Sequence, residues 1–336
     1  MNMEELVLKN EIIVSVCCTV YNHGKYLRQC LDSILMQETN FNYEILIHDD
    51  ASTDNSQEII SEYEKNYPDI VKPIYQTENQ YSQHKKIAWT YQYPRAKGKY
   101  IALCEGDDYW SDKHKLQKQY DILESHPDCV FCTHTVQRVK ENGNPEGGFY
   151  PPFEIKESVL TKEEWIKYIC CKDHYPFQTS SYFFLTESIK KYLVKMPRFI
   201  NVAKTGDITL MFLLATEGNC FYIKKTMSCY RVFSENSWSS KEKNNSSSKI
   251  DRLKAQVKSM RCYDCFTDYK YSAFIQKEIN RCEFSIYSLQ GNFNKCLKKK
   301  YRTQLNRYPL KSKIYFTVCA IFPWLRPIYL RIRYNK

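Results

Sequence analysis

The sequence contains little glycine, 9 residues in 336, and no glycine-rich loop lies near its N-terminus. A nucleotidyltransferase would need such a loop to cradle phosphates, so this scarcity argues against that class. Acidic residues are missing from one end: residues 284–336 hold 12 Lys and Arg and no Asp or Glu. The first ten residues contain no long apolar run, so we expect no signal peptide.

The positive charge is concentrated in the C-terminal part of the chain. Of the 49 Lys and Arg, 22 lie in residues 241–336, together with only 6 of the 38 Asp and Glu, so the rest of the chain is mildly acidic. A run rich in Ser and Asn, residues 234–248, is typical of a linker. We therefore predict a domain over residues 10–240 and a helical, basic region over residues 250–336.

Fifteen cysteines in a chain with no apparent signal peptide indicate a reducing cytoplasm, where thiols pack as small apolar groups. Two Cys-x-x-Cys pairs, Cys129/Cys132 and Cys262/Cys265, leave a zinc site open as an alternative. The pairs are far apart in the sequence, and no His lies near them at ligand spacing. We therefore interpret them as ordinary core or surface cysteines.

Short apolar runs alternate with helical patterns in the first part of the chain. Ile12 to Val20, Tyr43 to Ile47 and Lys99 to Leu103 are typical of buried strands. Strand–helix alternation of this kind predicts a parallel sheet with right-handed crossovers. We also predict a helix within residues 82–93, ended by the proline that follows.

Polar residues follow the predicted strands, and in an open α/β sheet the ends of parallel strands lie along one rim, where ligands bind. Glu105, Asp107 and Asp108 come after the third strand, and clustered carboxylates suit a hard divalent cation. The alternative is an acidic turn. Asp49 and Asp50 follow the second strand and can accept hydrogen bonds from a base or a sugar hydroxyl, the alternative being a loop cap.

Three segments together resemble a known family: Val16 to Leu27 (VCCTVYNHGKYL), Ile45 to Ser56 (ILIHDDASTDNS) and Glu105 to Trp110 (EGDDYW). In this order and spacing they resemble glycosyltransferase family 2 over about residues 10–240. The resemblance implies a GT-A fold, an α/β architecture with an open, mostly parallel sheet and flanking helices, here followed by the basic helical tail. It further implies a nucleotide-sugar donor (a UDP-sugar favoured), a divalent cation (Mn²⁺ or Mg²⁺) and inversion at the anomeric carbon.

The resemblance also assigns candidate roles to residues at matching positions. Asp207 resembles the catalytic base, the alternative being a helix N-terminal acid favoured by the helix dipole. Asp107 stands at the usual metal-contacting position. The donor-binding candidates are Thr19, Tyr21, Asn22, Asp49, Asp50, Glu105, Asp108 and Arg231. The acceptor-side candidates are Trp110, Gln178, Thr179 and Ser180.

The sequence departs from the family pattern at two positions. Glu105 replaces the first Asp of the usual D-x-D motif, and Phe233 stands where many relatives carry a His. In the segment that resembles the family's closing loop, which includes residues 237–239, Arg231 is therefore the expected partner of the diphosphate, through charge-assisted contacts.

The end of the chain combines aromatic, apolar and basic residues. Residues 314–330 are too short and too interrupted by proline for a comfortable transmembrane helix. With Arg331, Arg333 and Lys336 beside them, they suit a helix lying in the interface of an anionic membrane, or else a core helix docked on the domain. Nucleic-acid binding is not expected, because no recognisable nucleic-acid module accompanies the basic segment.

These patterns and the resemblance lead us to expect a cytoplasmic enzyme, peripheral on the inner face of the cell membrane. Its acceptor would be a glycan or a lipid-linked oligosaccharide in surface polysaccharide synthesis. The alternative is an inactive relative that binds sugar nucleotides or serves as a scaffold. The carboxylates at positions 105, 107, 108 and 207 argue against that alternative.

Overall fold

The structure is a computed structural model that describes residues 11–171, 176–232 and 246–325. The chain divides into two compact units, one formed by Met1–Pro197 with Gly206–Lys241 and the other by Arg198–Thr205 with Glu242–Lys336. The second unit thus includes a short segment, residues 198–205, that no shift in composition marks. Phe233 and residues 237–239 of the predicted closing loop, and the basic end of the tail, lie outside the described residues.

The first unit is built on one sheet. Its strands are β1 (Ile12–Val20), β2 (Asn42–Asp49), β3 (Val71–Tyr75), β4 (Tyr100–Leu103), β5 (Tyr109–Trp110), β6 (Cys129–Val139), β7 (Pro145–Tyr150), β8 (Ser158–Leu160), β9 (Phe183–Leu185) and β10 (Asn219–Arg231). Among the described residues, the order is β3-β2-β1-β4-β9-β6-β10-β5, with β7 beside β6 and β8 beside β10.

Helices flank the sheet and form most of the second unit. They are α1 (Gly24–Leu35), α2 (Ser56–Asn66), α3 (Lys115–Ser125), α4 (Lys162–Cys171), α5 (Glu187–Val194), α6 (Arg198–Val202), α7 (Gly206–Glu217), α8 (Ser246–Phe266), α9 (Ser272–Gln290), α10 (Phe293–Cys296), α11 (Arg302–Asn306) and α12 (Leu310–Ile321). Of these, α6 and α8 to α12 lie in the second unit.

β1 is an inner strand of the parallel half of the sheet, and one of its faces is entirely apolar. Val14, Val16 and Cys18 are fully buried, and they share a core cluster with Leu27 and Leu31 of α1. β1 pairs in parallel with β2 on one side and with β4 on the other. The carboxyl ends of these three strands therefore lie at one edge of the sheet.

The sheet is parallel from β3 to β4 and mixed beyond it. β9 runs antiparallel to both β4 and β6, and β5 runs antiparallel to β10. Parallel neighbours need a long crossover, whereas β7 returns beside β6 after a short turn at residues 140–144. The prediction of a mostly parallel sheet thus describes the first half of the sheet better than the second.

The helix predicted within residues 82–93 is wrong. The structure has turns there, then one π-helical turn at Ala88–Gln92 and a 3₁₀ turn at Tyr93–Arg95. The loop before this segment is fixed to the residue that follows β2, because the backbone N–H groups of Gln80 and Tyr81 donate to the Asp50 carboxylate.

The second unit has its own apolar core. Helix α6 and helix α9 both pack against α8. A cluster of buried side chains lies farther along the chain and consists of Phe284, Phe293, Cys296, Tyr301, Phe316 and Cys319. Among the described residues, no helix is both long and apolar enough to cross a membrane.

We predict that Gly98→Ala destabilises the first unit. A Cβ at this buried position would lie 2.6 Å from the Ser15 backbone N and 2.7 Å from the Val14 carbonyl carbon. Backbone atoms of β1 cannot move aside cheaply, so we expect a loss of about 1–3 kcal/mol or more in the free energy of unfolding. Chemical denaturation would measure it. Gly206→Ala is the control, because its Cβ meets nothing within 4 Å; an equal loss in both variants would contradict the prediction.

Candidate active site

The loops after β1, β2 and β4 are joined to one another at the rim of the sheet. The backbone N–H of Asp50 donates to the carbonyl of Val20 (2.9 Å), and that of Gly106 donates to the carbonyl of Thr19 (3.0 Å). These bonds continue the parallel ladders past the ends of the strands. The polar segments that follow the three strands therefore lie side by side.

Three donor-binding candidates belong to the β1 end of this rim. Asn22 adopts a φ of 56°, a left-handed conformation that Asn tolerates better than most residues, and its Oδ1 accepts the Thr53 N–H (2.7 Å). Thr19 Oγ1 donates to Gln92 Oε1 (3.2 Å). Tyr21 lies between them and is partly exposed. These contacts shape the rim, and the donor-binding roles of the three residues stay predictions.

Asp49 is placed to accept a further hydrogen bond. Its Oδ2 accepts from Gln57 Nε2 (2.6 Å) and from the Ser52 N–H (3.1 Å). Its Oδ1 is buried, and no described residue donates to it. A buried carboxylate oxygen without a donor is costly, so this atom is suited to a ligand N–H or O–H.

Asp50, in contrast, has both oxygens engaged. Its Oδ1 accepts the N–H of Gln80 (2.8 Å) and its Oδ2 accepts that of Tyr81 (3.0 Å). Burial raises the pKa of Asp50, but the neighbouring His48 and these two N–H groups outweigh burial and lower it overall. The structure thus gives Asp50 a role in holding residues 80–81, and its predicted contact with the donor stays a prediction.

Glu105, Asp107 and Asp108 form an acidic cluster directly after β4. One carboxylate oxygen from each lies within 4.8 Å of the others. Desolvation in the cleft and the nearby charges of Asp107 and Asp207 raise the pKa of Glu105 to about 8. Burial and the charges of Asp107 and Glu105 raise the pKa of Asp108 well above its ordinary value. Three oxygens that repel one another at this spacing fit a hard divalent cation.

Asp108 is held by two other parts of the first unit. It is fully buried, its Oδ1 accepts the Arg231 N–H (3.0 Å), and its Oδ2 accepts from Gln178 Nε2 (2.8 Å). Asp107 is 8% exposed. Asp108 is thus held in place by its hydrogen bonds, while Asp107 lies at the predicted metal-contacting position.

Arg231 packs against the acidic cluster. Its guanidinium lies 4.9 Å from the ring centroids of both Tyr26 and Tyr109, and it donates to the Asp107 carbonyl and to Gln29. The side chain is 3% exposed. Arg231 therefore links the end of β10 to the loop after β4, and its predicted contact with a diphosphate stays a prediction. Sequence reasoning missed the two tyrosines and Gln29, because nothing in their spacing points to residue 231.

The acceptor-side candidates at residues 178–180 lie behind the cluster. Besides its bond to Asp108, Gln178 accepts at Oε1 from the N–H (2.7 Å) and the hydroxyl (2.5 Å) of Ser180. The Ser180 hydroxyl also contacts that of Ser228 (2.8 Å). Gln178 and Ser180 are buried, and Thr179 is partly exposed. Of the three, Thr179 is the one with surface available to an acceptor.

Trp110 lies in the core rather than on the cleft wall. It is 1% exposed, and its ring centroid is 4.1 Å from Lys115 Nζ. Lys115 is fully buried and donates to Gln119 Oε1 (2.7 Å). Trp110 thus belongs to the core cluster of the first unit, and its predicted contact with an acceptor stays a prediction. The buried lysine is a feature that sequence reasoning missed.

Asp207 stands in the first turn of α7, as predicted for a residue at the start of a helix. It is partly exposed and close enough to Glu105 for its charge to raise the pKa of that carboxyl. The structure therefore brings a fourth carboxylate near the cluster from a distant part of the sequence.

Known proteins resemble this chain in both fold and sequence. The structure of S. aureus TarS 1–349 in complex with UDP-GlcNAc matches with a TM-score of 0.62 over 88% of this chain and 79% of that chain, at 17% identity. The fold is thus that of GT-A glycosyltransferases, as predicted. The model of the family Glycosyl transferase family 2 matches residues 15–180, which contain the three rim loops and the acidic cluster. Residues 15–180 of this chain therefore form a domain of glycosyltransferase family 2.

Two curated relatives show how far the sequence similarity extends. An uncharacterized protein of Mycobacterium tuberculosis is 39% identical over 140 residues, which cover 41% of this chain and 39% of that protein. TuaG of Bacillus subtilis, whose name describes a teichuronic acid biosynthesis glycosyltransferase, is 31% identical over 133 residues, covering 40% of this chain and 50% of TuaG. The matched region thus spans half or less of the length of these relatives.

We predict that Lys115→Met changes how stability depends on pH. Burial lowers the pKa of Lys115 from 10.5 to about 7, so between these values the unfolded chain binds more protons than the folded protein. Stability of the unsubstituted protein should therefore rise across this window, by up to about 1.4 kcal/mol per pH unit. The Met variant lacks this contribution, so its stability relative to the unsubstituted protein should be greatest near pH 6 and should shrink by pH 9. Unfolding by urea at several pH values would show it, with exposed Lys270→Met as the control.

Proposed function

We propose that this protein is an inverting, metal-dependent glycosyltransferase. It moves a sugar from a nucleotide-sugar donor, with a UDP-sugar favoured, to a glycan acceptor in surface polysaccharide synthesis. The observation that carries the proposal is the clustering of Glu105, Asp107 and Asp108 at the end of β4, with Asp207 nearby. The unpaired oxygen of Asp49 on the same rim adds a place for the nucleotide.

The acidic cluster supports departure of a nucleoside diphosphate. A divalent cation held by Asp107, with Glu105 beside it, would neutralise the negative charge that develops on the diphosphate as the glycosidic bond breaks. Asp108 keeps the cluster in place through its bonds to Arg231 and Gln178. Asp49 would accept a hydrogen bond from the base or the ribose through Oδ1.

Asp207 is the proposed general base. The acceptor hydroxyl has a pKa far above neutral, so it must lose its proton as it attacks the anomeric carbon. Attack from the side opposite the diphosphate inverts the configuration, and a carboxylate on that side can take the proton. Asp207 is partly exposed in the first turn of α7, where an acceptor hydroxyl can reach its carboxylate.

The relatives favour a UDP-sugar donor and a surface glycan acceptor. TarS was solved with UDP-GlcNAc, and TuaG is named for teichuronic acid biosynthesis. These properties belong to those proteins, and we extend them to this chain because the matched region contains the rim loops. The donor sugar itself depends on loop shapes that differ between relatives.

The second unit is proposed to contact the membrane, which would bring the enzyme to a lipid-linked acceptor at the cytoplasmic face. Helix α12 exposes Leu310 (71%), Ile314 (54%) and Ile321 (63%), and Trp324 beyond it is 67% exposed. Lys311 and Lys313 belong to the same helix. Apolar and aromatic side chains beside cations are typical of a helix lying in the interface of an anionic membrane.

A release assay with purified protein tests the proposal. UDP-, GDP- and dTDP-sugars are incubated with Mn²⁺ or Mg²⁺ and then with chelator, and nucleoside diphosphate is measured. Metal-dependent release of nucleoside diphosphate from one donor would support the proposal that the protein is a glycosyltransferase. An inactive sugar-nucleotide-binding relative is the second candidate, and it would bind a donor without releasing diphosphate even when acceptor extracts are added.

We predict that Asp207→Asn abolishes transfer while leaving donor affinity nearly intact. Asn keeps the shape of the side chain but cannot take the acceptor proton, so turnover should fall by roughly 10²–10⁴-fold. Titration of the same variant with the nucleotide sugar checks binding. Asp251→Asn, an exposed acid of the second unit, is the control. Retention of most turnover in the Asp207 variant would remove this residue from the catalytic role.

We predict that Asp107→Ala weakens metal-dependent nucleotide binding. Loss of one carboxylate ligand removes both an oxygen and a charge from the cation site. Calorimetric titration with the nucleoside diphosphate, in the presence and absence of Mn²⁺, should show a metal-dependent gain in affinity that is lost in the variant. The same gain in the variant and in the unsubstituted protein would contradict the assignment of Asp107 to the metal.

A further inference from the structure

A groove in the second unit lies away from the acidic cluster in sequence and has no assigned role. It is formed by side chains of α6, α8 and α9 and has a volume of about 910 Å³. Ligand sites in proteins measure roughly 300–1,000 Å³, so the groove is large enough for a small amphiphilic molecule.

The floor of the groove is apolar and well fixed. Phe199, Val257 and Ile286 line it and are 0%, 8% and 7% exposed. The carbonyl of Phe199 accepts a hydrogen bond from the Ser259 hydroxyl (2.7 Å), and its ring lies 5.2 Å from that of Phe266. Phe266 also lines the groove and is 39% exposed. An apolar strip thus runs from the buried floor to the surface.

The rim of the groove is positively charged. Lys254, Lys258 and Arg261 are spaced at i, i+4 and i+7 along α8, which places them on one face of the helix, and Arg198 of α6 adds a fourth cation. Among the described residues, no ion pair involves Arg198 or Lys258. The rim is therefore open to an anion.

The one acid of the lining, Glu283, does not cancel this charge. Its carboxylate is already shared among Arg261 Nη2 (3.1 Å), Lys300 Nζ (2.8 Å) and the Tyr301 hydroxyl (2.7 Å). It holds Arg261 at the rim, and Lys254 pairs with Asp251 (3.8 Å), which does not line the groove, so Arg198 and Lys258 remain the cations without an acid partner among the described residues. The side chains that line the groove therefore carry a net positive charge.

We propose that this groove binds the headgroup of an anionic phospholipid, with the phosphate at Arg198 and Lys258 and the proximal part of the acyl chain along Val257, Ile286 and Phe266. A cationic rim over an apolar floor matches an anion joined to a hydrocarbon chain. The same unit exposes apolar side chains on α12, and its last 53 residues contain no acid, so it offers both surfaces that a lipid membrane attracts.

The inference is independent of glycosyl transfer. Lipid binding in the groove is measured without donor or acceptor, so failure of one proposal leaves the other in place. It also differs from interfacial contact through α12, because a pocket takes one lipid molecule, whereas a helix on a bilayer contacts many.

Titration of the full chain with dihexanoyl phosphatidylglycerol, kept below its micelle concentration, tests the groove. Calorimetry should give about one lipid per chain, bound at least tenfold more tightly than dihexanoyl phosphatidylcholine or glycerol phosphate. Equal binding of glycerol phosphate would show that the apolar floor contributes nothing, and tighter binding of an acidic peptide such as oligoglutamate would assign the groove to a protein partner. Either result would overturn the proposal.

The double substitution Arg198→Gln with Lys258→Gln should weaken phosphatidylglycerol binding by about tenfold or more, since each cation near an anionic lipid contributes on the order of 1 kcal/mol. Lys270→Gln with Lys277→Gln removes the same charge from exposed positions of the same unit outside the groove, and its affinity should stay unchanged. Phe266→Ser tests the apolar strip and should weaken the short-chain lipid while leaving glycerol phosphate unaffected. Equal losses in the two double variants, with unchanged thermal unfolding, would contradict a groove site.

Discussion

The mutual repulsion of three carboxylates after β4 is the constraint on which the rest of the first unit depends. Burial and the repulsion between these groups raise the pKa of Glu105 and of Asp108, so they favour either protonation of the cluster or a cation that neutralises it. Part of the restraint on the carboxylates comes from Asp108, which is fixed by a backbone N–H of β10 and by the Gln178 amide. The rest comes from Arg231, whose guanidinium is sandwiched between two tyrosine rings and bonded to the backbone of the cluster. The geometry of a candidate metal site is thus built by residues that need not touch the metal.

This arrangement explains why so many polar groups are buried near the rim. The side chains of Asp50, Asp108 and Gln178 are hydrogen-bonded to other segments of the chain. These bonds fix the loops after β2 and β4 within the protein itself. The unpaired oxygen of Asp49 is an exception, since its burial lowers stability unless a ligand donates to it. A site that is rigid except for a few unsatisfied atoms is prepared for binding, because little further ordering is required when the ligand arrives.

The sequence predicts the parallel half of the sheet well, because buried strands such as β1 and β2 are continuous apolar runs and the polar segments that follow them are local in the chain. It also places Glu105, Asp107, Asp108 and Asp207 at strand and helix ends. It could not predict that Arg231 lies between Tyr26 and Tyr109, or that Gln178 fixes Asp108, because these contacts join residues far apart in the chain. The prediction of a helix within residues 82–93 was wrong, and the hydrogen bonds from the Gln80 and Tyr81 backbone to Asp50, which fix the loop before this segment, also join distant parts of the chain. Hydrogen bonds between residues far apart in the chain produce no periodic pattern in the sequence.

The segment 198–205 has a consequence for how the chain can be divided. It belongs to the second unit but lies between α5 and α7, both of the first unit, so the polypeptide passes from one unit to the other, returns immediately before Asp207, and leaves again near residue 241. No single cut separates the two units. A chain shortened at residue 240 would retain Phe199 without the α8 rings and the Ser259 hydroxyl that surround it. The basic unit is therefore completed by a segment that the chain contributes from within the first unit, so removal of everything after residue 240 would leave part of its core exposed.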